Sequence, residues 1–214
     1  MAENLLTNEE IDAIGEVLNI SMGSAATAIS TLLDKQVIIT TPKVEIQKFE
    51  AVNYTDLEPA ILVKIEYVEG ISGSNVMIFR QSDMQVILNL LMGNEDPPSD
   101  DFVFDEMSMS AACEVMNQMM GASATALSTF LGKTINISTP TATVMDPVEN
   151  TFEKALGVDG DKDVVSIGFE IDITGVMKTD FASILTCELA KEMVGQLFPE
   201  DEPEPAPAPA PQPA

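Results

Sequence analysis

The sequence DAIGEVLN occupies residues 12–19, and a related sequence, SAACEVMN, occupies residues 110–117. In each copy a short polar residue is followed four positions later by Glu, and the Glu is followed three positions later by Asn. A Pro follows each Asn after 22 intervening residues, and 15 of the 27 positions are identical when Glu16–Pro42 is aligned on Glu114–Pro140. The offset of 98 residues is too long for a solenoid unit, so the repeat predicts one domain built from two similar halves.

Each copy places four of its residues on one narrow face when it is drawn as an α-helix at 100° per residue. The first stripe consists of Asp12, Glu16, Asn19 and Gly23, and the second stripe consists of Ser110, Glu114, Asn117 and Gly121. Apolar residues lie opposite and are predicted to face the core: Val17, Leu18, Ala25, Ile29 and Leu32 in the first copy, and Val115, Met116, Leu127 and Phe130 in the second. The Gly one turn beyond each Asn leaves room for a partner surface to approach closely.

An exposed Glu and Asn on a single helix need no functional explanation. In a duplicated half, however, surface positions are the first to diverge, whereas core positions are retained for packing. Here the outward Glu, Asn and Gly match in both copies. The repeat therefore favours a functional role for the two stripes over an ordinary solvated face.

The composition excludes several classes of function. The 214 residues carry 35 Asp and Glu against ten Lys and Arg, a net charge of −25, and no His. This charge argues against nucleic acid and anionic membranes as partners, and the lack of His rules out His-based catalysis and His-ligated zinc. The chain has no run of 18 apolar residues, so no membrane insertion is expected. Two cysteines, Cys113 and Cys187, indicate reduced thiols and a cytoplasmic location rather than a disulfide framework.

The pattern of elements is the same in the two halves. Helix starts are predicted from capping boxes at Thr7–Glu10 and Ser82–Gln85. In the first half we predict a helix over 8–33, strands over 37–47, 60–68 and 75–79, and a helix from 82 to about 92; residues 93–101 form a connector. In the second half we predict a helix over 105–131, a strand over 134–144, a looser stretch over 145–163, strands over 164–173 and 181–185, and a helix over 187–198.

Strands that follow one another directly favour an α+β fold with antiparallel pairing. We expect the strands of both halves to join in one continuous sheet, with the two long helices packed together over one face. The predicted domain covers 1–198, with halves at about 6–93 and 104–198, and residues 199–214 form an acidic Pro/Ala-rich linker or tail.

The residue types of the stripes limit the chemistry. Asn is neither a base nor a nucleophile, but its amide can hold and orient a water molecule, as a Gln does in some phosphoryl-transfer sites. Glu can pair with a cation of a partner or help to orient the Asn. Such a pair can hydrolyse only a bond that is already activated, in a substrate that brings its own metal. The aspartyl phosphate of a response regulator with bound Mg²⁺ meets this requirement.

Other motifs have simpler interpretations. Asp159–Asp163 with Glu170 imitates the acidic spacing of a calcium loop, but Val164 stands where Gly is required and a strand follows, which favours an acidic loop. Three methionines on the second helix, Met116, Met119 and Met120, are interpreted as adaptable core residues. The stretch Gly70–Ser74 is interpreted as a hairpin turn rather than a phosphate loop.

The doubled motif, with the Pro 22 residues beyond each Asn, resembles the signature of the CheC/FliY family of bacterial chemotaxis phosphatases. Residues 19–28, 73–75, 81–83 and 116–121 are also similar to that family, and the resemblance covers about residues 6–198. It implies a pseudo-two-fold duplicated CheC-like domain, an antiparallel sheet with two long exposed signature helices. It further implies catalytic roles for Glu16, Asn19, Glu114 and Asn117, and supporting roles for Asp12, Ser110, Gly23, Gly121, Pro42 and Pro140.

The family resemblance also implies an activity and partners. The expected activity is hydrolysis of the aspartyl phosphate of CheY at the flagellar motor switch, with no cofactor except the Mg²⁺ supplied by bound CheY. Phosphorylated CheY is the expected partner, and the switch proteins FliM and FliG are expected through a C-terminal FliN-like domain that the 214 residues do not include. The expected location is the cytoplasm, at the face of the flagellar basal body. Two alternatives stay open: a non-catalytic CheY-binding or motor-switch scaffold module, and a stand-alone CheC.

Overall fold

A computed structural model describes residues 6–40, 43–99, 101–146 and 151–197. The first half contains α1 (Asn8–Leu33), β1 (Val37–Ile39), β2 (Lys43–Lys48), β3 (Ala60–Glu69), β4 (Gly73–Arg80) and α2 (Gln81–Leu91). The second half contains α3 (Glu106–Leu131), β5 (Asn136–Ile137), β6 (Thr141–Val144), α4 (Thr151–Leu156), β7 (Asp163–Ile173), β8 (Met177–Thr186) and α5 (Cys187–Leu197). Two single-turn 3-10 helices, Phe49–Ala51 and Thr55–Leu57, lie between β2 and β3.

The long helices begin and end close to the predicted residues because local capping specifies both ends. The Thr7 hydroxyl accepts a hydrogen bond from the Glu10 N–H, and the Glu10 carboxylate accepts one from the Thr7 N–H, which completes the predicted capping box of α1. At the start of α3, the Asp105 carboxylate accepts from the Ser108 N–H at 2.8 Å. Both helices end at a residue in the left-handed region, Asp34 (φ 51°) and Gly132 (φ 67°).

The strands form one antiparallel sheet in the order β1-β7-β8-β4-β3-β5, with β2 also pairing with β7 and β6 also pairing with β3. The expected continuous α+β sheet is therefore confirmed, and β4 and β8 join the halves at its centre. The pairing is interleaved: β1 and β2 of the first half pair with the second-half hairpin β7–β8, while β5 and β6 of the second half pair with the first-half hairpin β3–β4.

The centre of the sheet is buried on both faces. The helices pack over one face, where α1 and α3 lie against each other and Phe181 stacks between Phe79 and Phe169 at 4.9 and 5.1 Å. The opposite face is covered by α4 and the 3-10 helices, where Phe152 contacts Phe49 at 4.6 Å. Because both faces are covered, the central strands carry nearly continuous apolar runs, as Ala60–Val63 does in β3.

The second predicted capping box, at Ser82–Gln85, is wrong. Strand β4 continues directly into α2, whose N-cap is Arg80, with no side-chain cap. The Arg80 guanidinium binds across the halves, donating to the Thr179 hydroxyl at 2.5 Å and to the Asp180 carbonyl at 3.3 Å. The Gln85 side chain accepts instead from the Ser99 N–H at 3.0 Å.

Three further predictions need correction. The strand predicted over 134–144 is divided into β5 and β6, since Pro140, which is buried between them, lacks the N–H that a ladder requires. The strand predicted over 37–47 is divided into β1 and β2, and Pro42 lies outside the described residues. The looser stretch over 145–163 contains α4, which Phe152 holds to the sheet. Phe130, predicted to face the core, is 46% exposed, because periodicity gives the direction of a side chain but not how far the covering elements extend. The tail at 199–214 also lies outside the described residues.

Candidate functional site

Each stripe lies on one open face of a long helix. On α1, Asp12, Glu16 and Gly23 are exposed and Asn19 is half-buried; on α3, Ser110, Glu114 and Asn117 are exposed and Gly121 is half-buried. The structure thus brings together the residues that the sequence places in each stripe, with the Glu and Asn three residues apart on neighbouring turns. Their chemical roles stay predictions.

Some identities between the two copies have a local structural cause. The Ser30 hydroxyl donates to the Ala26 carbonyl at 2.8 Å and accepts from the Val37 N–H at 2.9 Å, which ties the end of α1 to β1. Ser128 makes the equivalent bonds, of 2.8 and 2.9 Å, between α3 and the residue before β5. These matched serines fix the helices to the sheet and need no partner to explain them.

Each glycine of the stripes receives one further hydrogen bond within its helix. The Thr27 hydroxyl donates to the Gly23 carbonyl at 3.0 Å, and the Thr125 hydroxyl donates to the Gly121 carbonyl at 2.9 Å. Hydrogen bonds within each helix therefore explain why Thr27 and Thr125 match in the two copies.

The asparagines have no such structural explanation. The side-chain amides of Asn19 and Asn117 make no hydrogen bond to any residue in the described ranges. An amide that is held in place by its helix and has no partner can donate to and accept from a molecule that docks on that face. Packing and capping within the described residues therefore do not explain the matched Asn pair.

The glycines of the stripes are also not required by packing. A Cβ placed on Gly23 or Gly121 would meet no heavy atom within 4 Å beyond its own helix backbone and chain neighbours. By contrast, a Cβ on Gly73 would lie 2.7 Å from the Leu189 Cβ. A Gly inside a helix costs about 0.5–1 kcal/mol relative to Ala. The two glycines are therefore retained at a cost to helix stability, and the space that they leave is on the outer face.

The glutamates differ in their surroundings. Glu16 has neither an ion pair nor a side-chain hydrogen bond with the described residues, whereas the Glu114 carboxylate accepts a hydrogen bond from the Gln118 side-chain amide at 2.9 Å. In the described part of the chain, the six ion pairs all lie away from both stripes. Among the described residues, none therefore supplies a cation to either glutamate.

The stripes are not enclosed sites. A hollow of about 550 Å³ lies at the start of α5, includes Cys187 and is away from both stripes. A wider and more open depression, of about 830 Å³, lies along the second stripe and is lined by Ser110 and Glu114. The Cys187 thiol donates to the Asp163 carbonyl at 3.0 Å, and burial raises the pKa of that thiol. Along the described ranges, no three His, Cys, Asp or Glu side chains are grouped so that they could hold a metal ion, and no helix is long and apolar enough to span a membrane.

Two residues of the site were missed in the sequence. Met107 lies on the same face as the second stripe, seven residues before Glu114, and is 79% exposed. Gln118 binds Glu114 from one turn further on. The spacings i−7 and i+4 from Glu114 are the signals by which both could have been found.

Known proteins share this arrangement. The CheC-like family model matches residues 9–46 and 107–144, which contain the two stripes. The crystal structure of Thermotoga maritima FliY is 38% identical and superposes with a TM-score of 0.82, over 92% of this chain and 99% of that one. The chain therefore belongs to the CheC-like family, which confirms the resemblance predicted from the doubled motif.

Within that family the similarity to named proteins is more specific. The chain is 36% identical to the flagellar motor switch phosphatase FliY of Bacillus subtilis over 193 residues, which is 90% of this chain and 50% of that protein. It is 29% identical to the CheY-P phosphatase CheC of the same organism over 128 residues, 58% of this chain and 61% of CheC. The chain thus spans about half the length of FliY and less than two thirds of CheC.

Proposed function

We propose that this chain is a phosphatase that hydrolyses the aspartyl phosphate of the response regulator CheY, at the flagellar motor switch. The observation that carries the proposal is the doubled, outward-facing Glu–Asn pair whose Asn amides have no hydrogen-bond partner in the described residues. The two relatives FliY and CheC, which are named as phosphatases, support it.

The shape of the site suits a protein substrate. A small molecule requires a concave pocket that buries most of its surface, whereas both stripes lie on exposed helix faces and the depression along the second stripe is wide and open to solvent. An exposed helix fits a substrate that has its own concave site, such as the phosphorylated pocket of a response regulator. Glu16 and Glu114 then pair with a Lys ammonium on that partner, which supplies the cation that the described residues do not provide at the stripes.

Asn19 or Asn117 supplies the catalytic group. When the helix docks, the side-chain oxygen of the Asn accepts a hydrogen bond from a water molecule and holds it in line with the phosphorus atom. The water oxygen bonds to phosphorus as the bond between phosphorus and the aspartyl oxygen breaks. The products are a free aspartate carboxylate and inorganic phosphate, which takes up the proton released by the water. The Mg²⁺ that CheY carries would neutralise charge on the phosphoryl oxygens.

Action at the motor switch is proposed from the name of the B. subtilis relative, and contact with FliM or FliG there is proposed from the family resemblance. Because this chain spans half of that relative, these partners are proposed for the whole protein rather than for the helices of this domain.

The test is the decay of phosphorylated CheY in the presence of Mg²⁺, with the wild-type chain and with Asn19→Ala/Asn117→Ala. We expect the wild type to accelerate decay, and the double variant to lose about a hundredfold of that acceleration, because a water molecule is no longer placed. Binding to CheY that carries a beryllofluoride phosphate mimic should be retained. Gln196→Ala, which removes an exposed amide from α5, is the matched control and should behave as the wild type.

A second pair of changes separates binding from chemistry. Glu16→Lys/Glu114→Lys reverses the charge opposite the proposed Lys of CheY and should weaken binding of the phosphate mimic. Full activity of the Asn double variant would contradict the assigned mechanism. Binding of CheY without any acceleration by the wild type would instead identify a docking module that has no catalytic role.

A further inference from the structure

The two stripes are unequal at their edges, although their Glu, Asn and Gly positions match. One helical turn before Asp12 lies Glu9, whereas the aligned position before Ser110 is Met107. Both are exposed, and Met107 is exposed by 79%. One turn after each Glu, the first stripe has Ile20, which is 39% exposed, and the second has Gln118.

The first stripe is consequently a line of carboxylates. Glu9, Asp12 and Glu16 follow one another at spacings of three and four, so like charges lie side by side on the helix. None of them has an ion pair with the described residues. The nearby Glu10 is already engaged as the second member of the capping box. The uncompensated charge is therefore available to a cationic partner.

The second stripe presents one carboxylate beside an apolar side chain. Met107 and Ser110 replace the two additional acids, and an open depression beside Glu114 is lined by both. Two other acids line that depression: Asp105 caps the helix and keeps its negative charge, and Glu106 lies about 80° around the helix from Glu114. Within the stripe itself, Glu114 is the one carboxylate. An exposed, unbranched thioether adapts its shape to an apolar surface and is indifferent to salt.

Gln118 gives the second stripe a further difference. Its amide N–H donates to one oxygen of Glu114 at 2.9 Å and leaves the other oxygen free for a partner cation. The Glu114 side chain is thereby oriented before the partner arrives. Ile20 at the aligned position cannot donate, so Glu16 must be ordered during binding.

We propose that the two stripes hold the same phosphorylated partner by different chemistry. In this inference, which rests on the proposed function, Glu9 and Asp12 make the first site electrostatic, while Met107 and the positioning residue Gln118 make the second site apolar and pre-oriented. The first site is then the more sensitive to ionic strength, and the second keeps its activity when salt screens exposed charges.

Single-site variants test the difference in salt dependence. Asn117→Ala leaves only the first site and Asn19→Ala leaves only the second, and kcat/KM for phosphorylated CheY is measured for each at about 30 mM and about 500 mM NaCl with constant Mg²⁺. Between low and high salt, we expect kcat/KM of the first site to fall by about two- to fivefold more than kcat/KM of the second. This factor corresponds to the loss of one or two exposed charge pairs. In the Asn117→Ala background, Glu9→Met should weaken the salt dependence of kcat/KM at the first site. In the Asn19→Ala background, Met107→Glu should strengthen the salt dependence of kcat/KM at the second site.

A reciprocal exchange tests Gln118. In the Asn19→Ala background, Gln118→Ile should raise KM about two- to tenfold with kcat unchanged, since one side chain must then be ordered on binding; Ile20→Gln in the Asn117→Ala background should lower KM. A fall in kcat at unchanged KM would overturn the positioning role. Equal salt dependence of the two sites, or one inactive site, would overturn the inference while the phosphatase stands. No acceleration by the wild type at either salt concentration would overturn both.

Discussion

The stripe glycines allow a test in which stability and activity change in opposite directions. In Gly23→Ala/Gly121→Ala each new methyl group enters open space, since no heavy atom outside the helix backbone and the chain neighbours lies within 4 Å of where either Cβ would be. Replacing Gly by Ala inside a helix stabilises by about 0.5–1 kcal/mol per site. The double variant should therefore gain about 1–2 kcal/mol, and its melting temperature should rise by about 2–8 °C for a domain of this size.

The activity of such variants should fall. If CheY approaches the helix as closely as the missing side chains suggest, the added methyl groups overpack the contact, and Gly23→Leu/Gly121→Leu overpacks it further. An overpacked contact costs about 1–3 kcal/mol, or roughly five- to 150-fold in affinity. Thermal unfolding measures the gain in stability, and decay of phosphorylated CheY measures the loss in activity.

Gly15→Ala is the matched control on the same helix. A Cβ on Gly15 would lie 3.7 Å from a Val44 methyl group, an ordinary contact on the covered side of α1. It should therefore raise stability without affecting hydrolysis. The reasoning is refuted if the alanine variants at Gly23 and Gly121 are less stable than the wild type, or if the leucine variants keep full activity.

Three other predictions concern the scaffold. Phe181 is 1% exposed, so Phe181→Ala should lower the free energy of unfolding by about 3–5 kcal/mol. Phe130 is 46% exposed, so Phe130→Ala should lower it by less than about 1 kcal/mol. Urea unfolding measures both values, and similar losses for the two variants would be inconsistent with the packing. Hydrogen bonds from Ser108 lower the pKa of Asp105 from its ordinary 3.8, so the contribution of this cap to stability is present above that value and is lost as the pH falls through the lowered pKa. Asp105→Ala should remove this part of the acid dependence, and an unchanged acid unfolding curve would argue against it. Burial raises the pKa of the Cys187 thiol, so alkylation at pH 8 should be much slower than that of glutathione; mass spectrometry after iodoacetamide treatment would reveal any rapid labelling.

The sequence predicts those parts of the fold that short-range chemistry determines. The limits of α1 follow from the Thr7 cap and from the end of its apolar period at Leu33. The stripes follow from helical geometry and the repeat, and the structure places them as predicted. Local sequence rules failed where a contact with a residue distant in the chain determines the start of a helix. Arg80 is held by the other half of the chain and is the N-cap of α2, so α2 begins without the capping box that Ser82 suggests.

Strand partners could not be derived in this way. Both β3–β4 and β7–β8 are hairpins, which proximity in the chain predicts, but nothing local tells β2 to pair with β7, about 115 residues away, as in the pair Lys48 and Asp163. Helix α4 was missed because a six-residue helix carries little period of its own, and packing of Phe152 holds it. Met107 and Gln118 could not be found from the repeat, because its signal is identity between the two halves and these two positions differ from Glu9 and Ile20.

Because the strands are interleaved, neither half of the chain has a complete sheet of its own. Since β1 and β2 of the first half complete the hairpin of the second, and β5 and β6 complete the hairpin of the first, a polypeptide of half this length would leave its own hairpin edge bare. Two such polypeptides could cover each other by exchanging those strands, as in a domain-swapped homodimer. The present chain is equivalent to such an intertwined dimer whose two subunits are joined in one polypeptide. Joining them in one chain allows the two long helices to differ in sequence while both pack on one sheet.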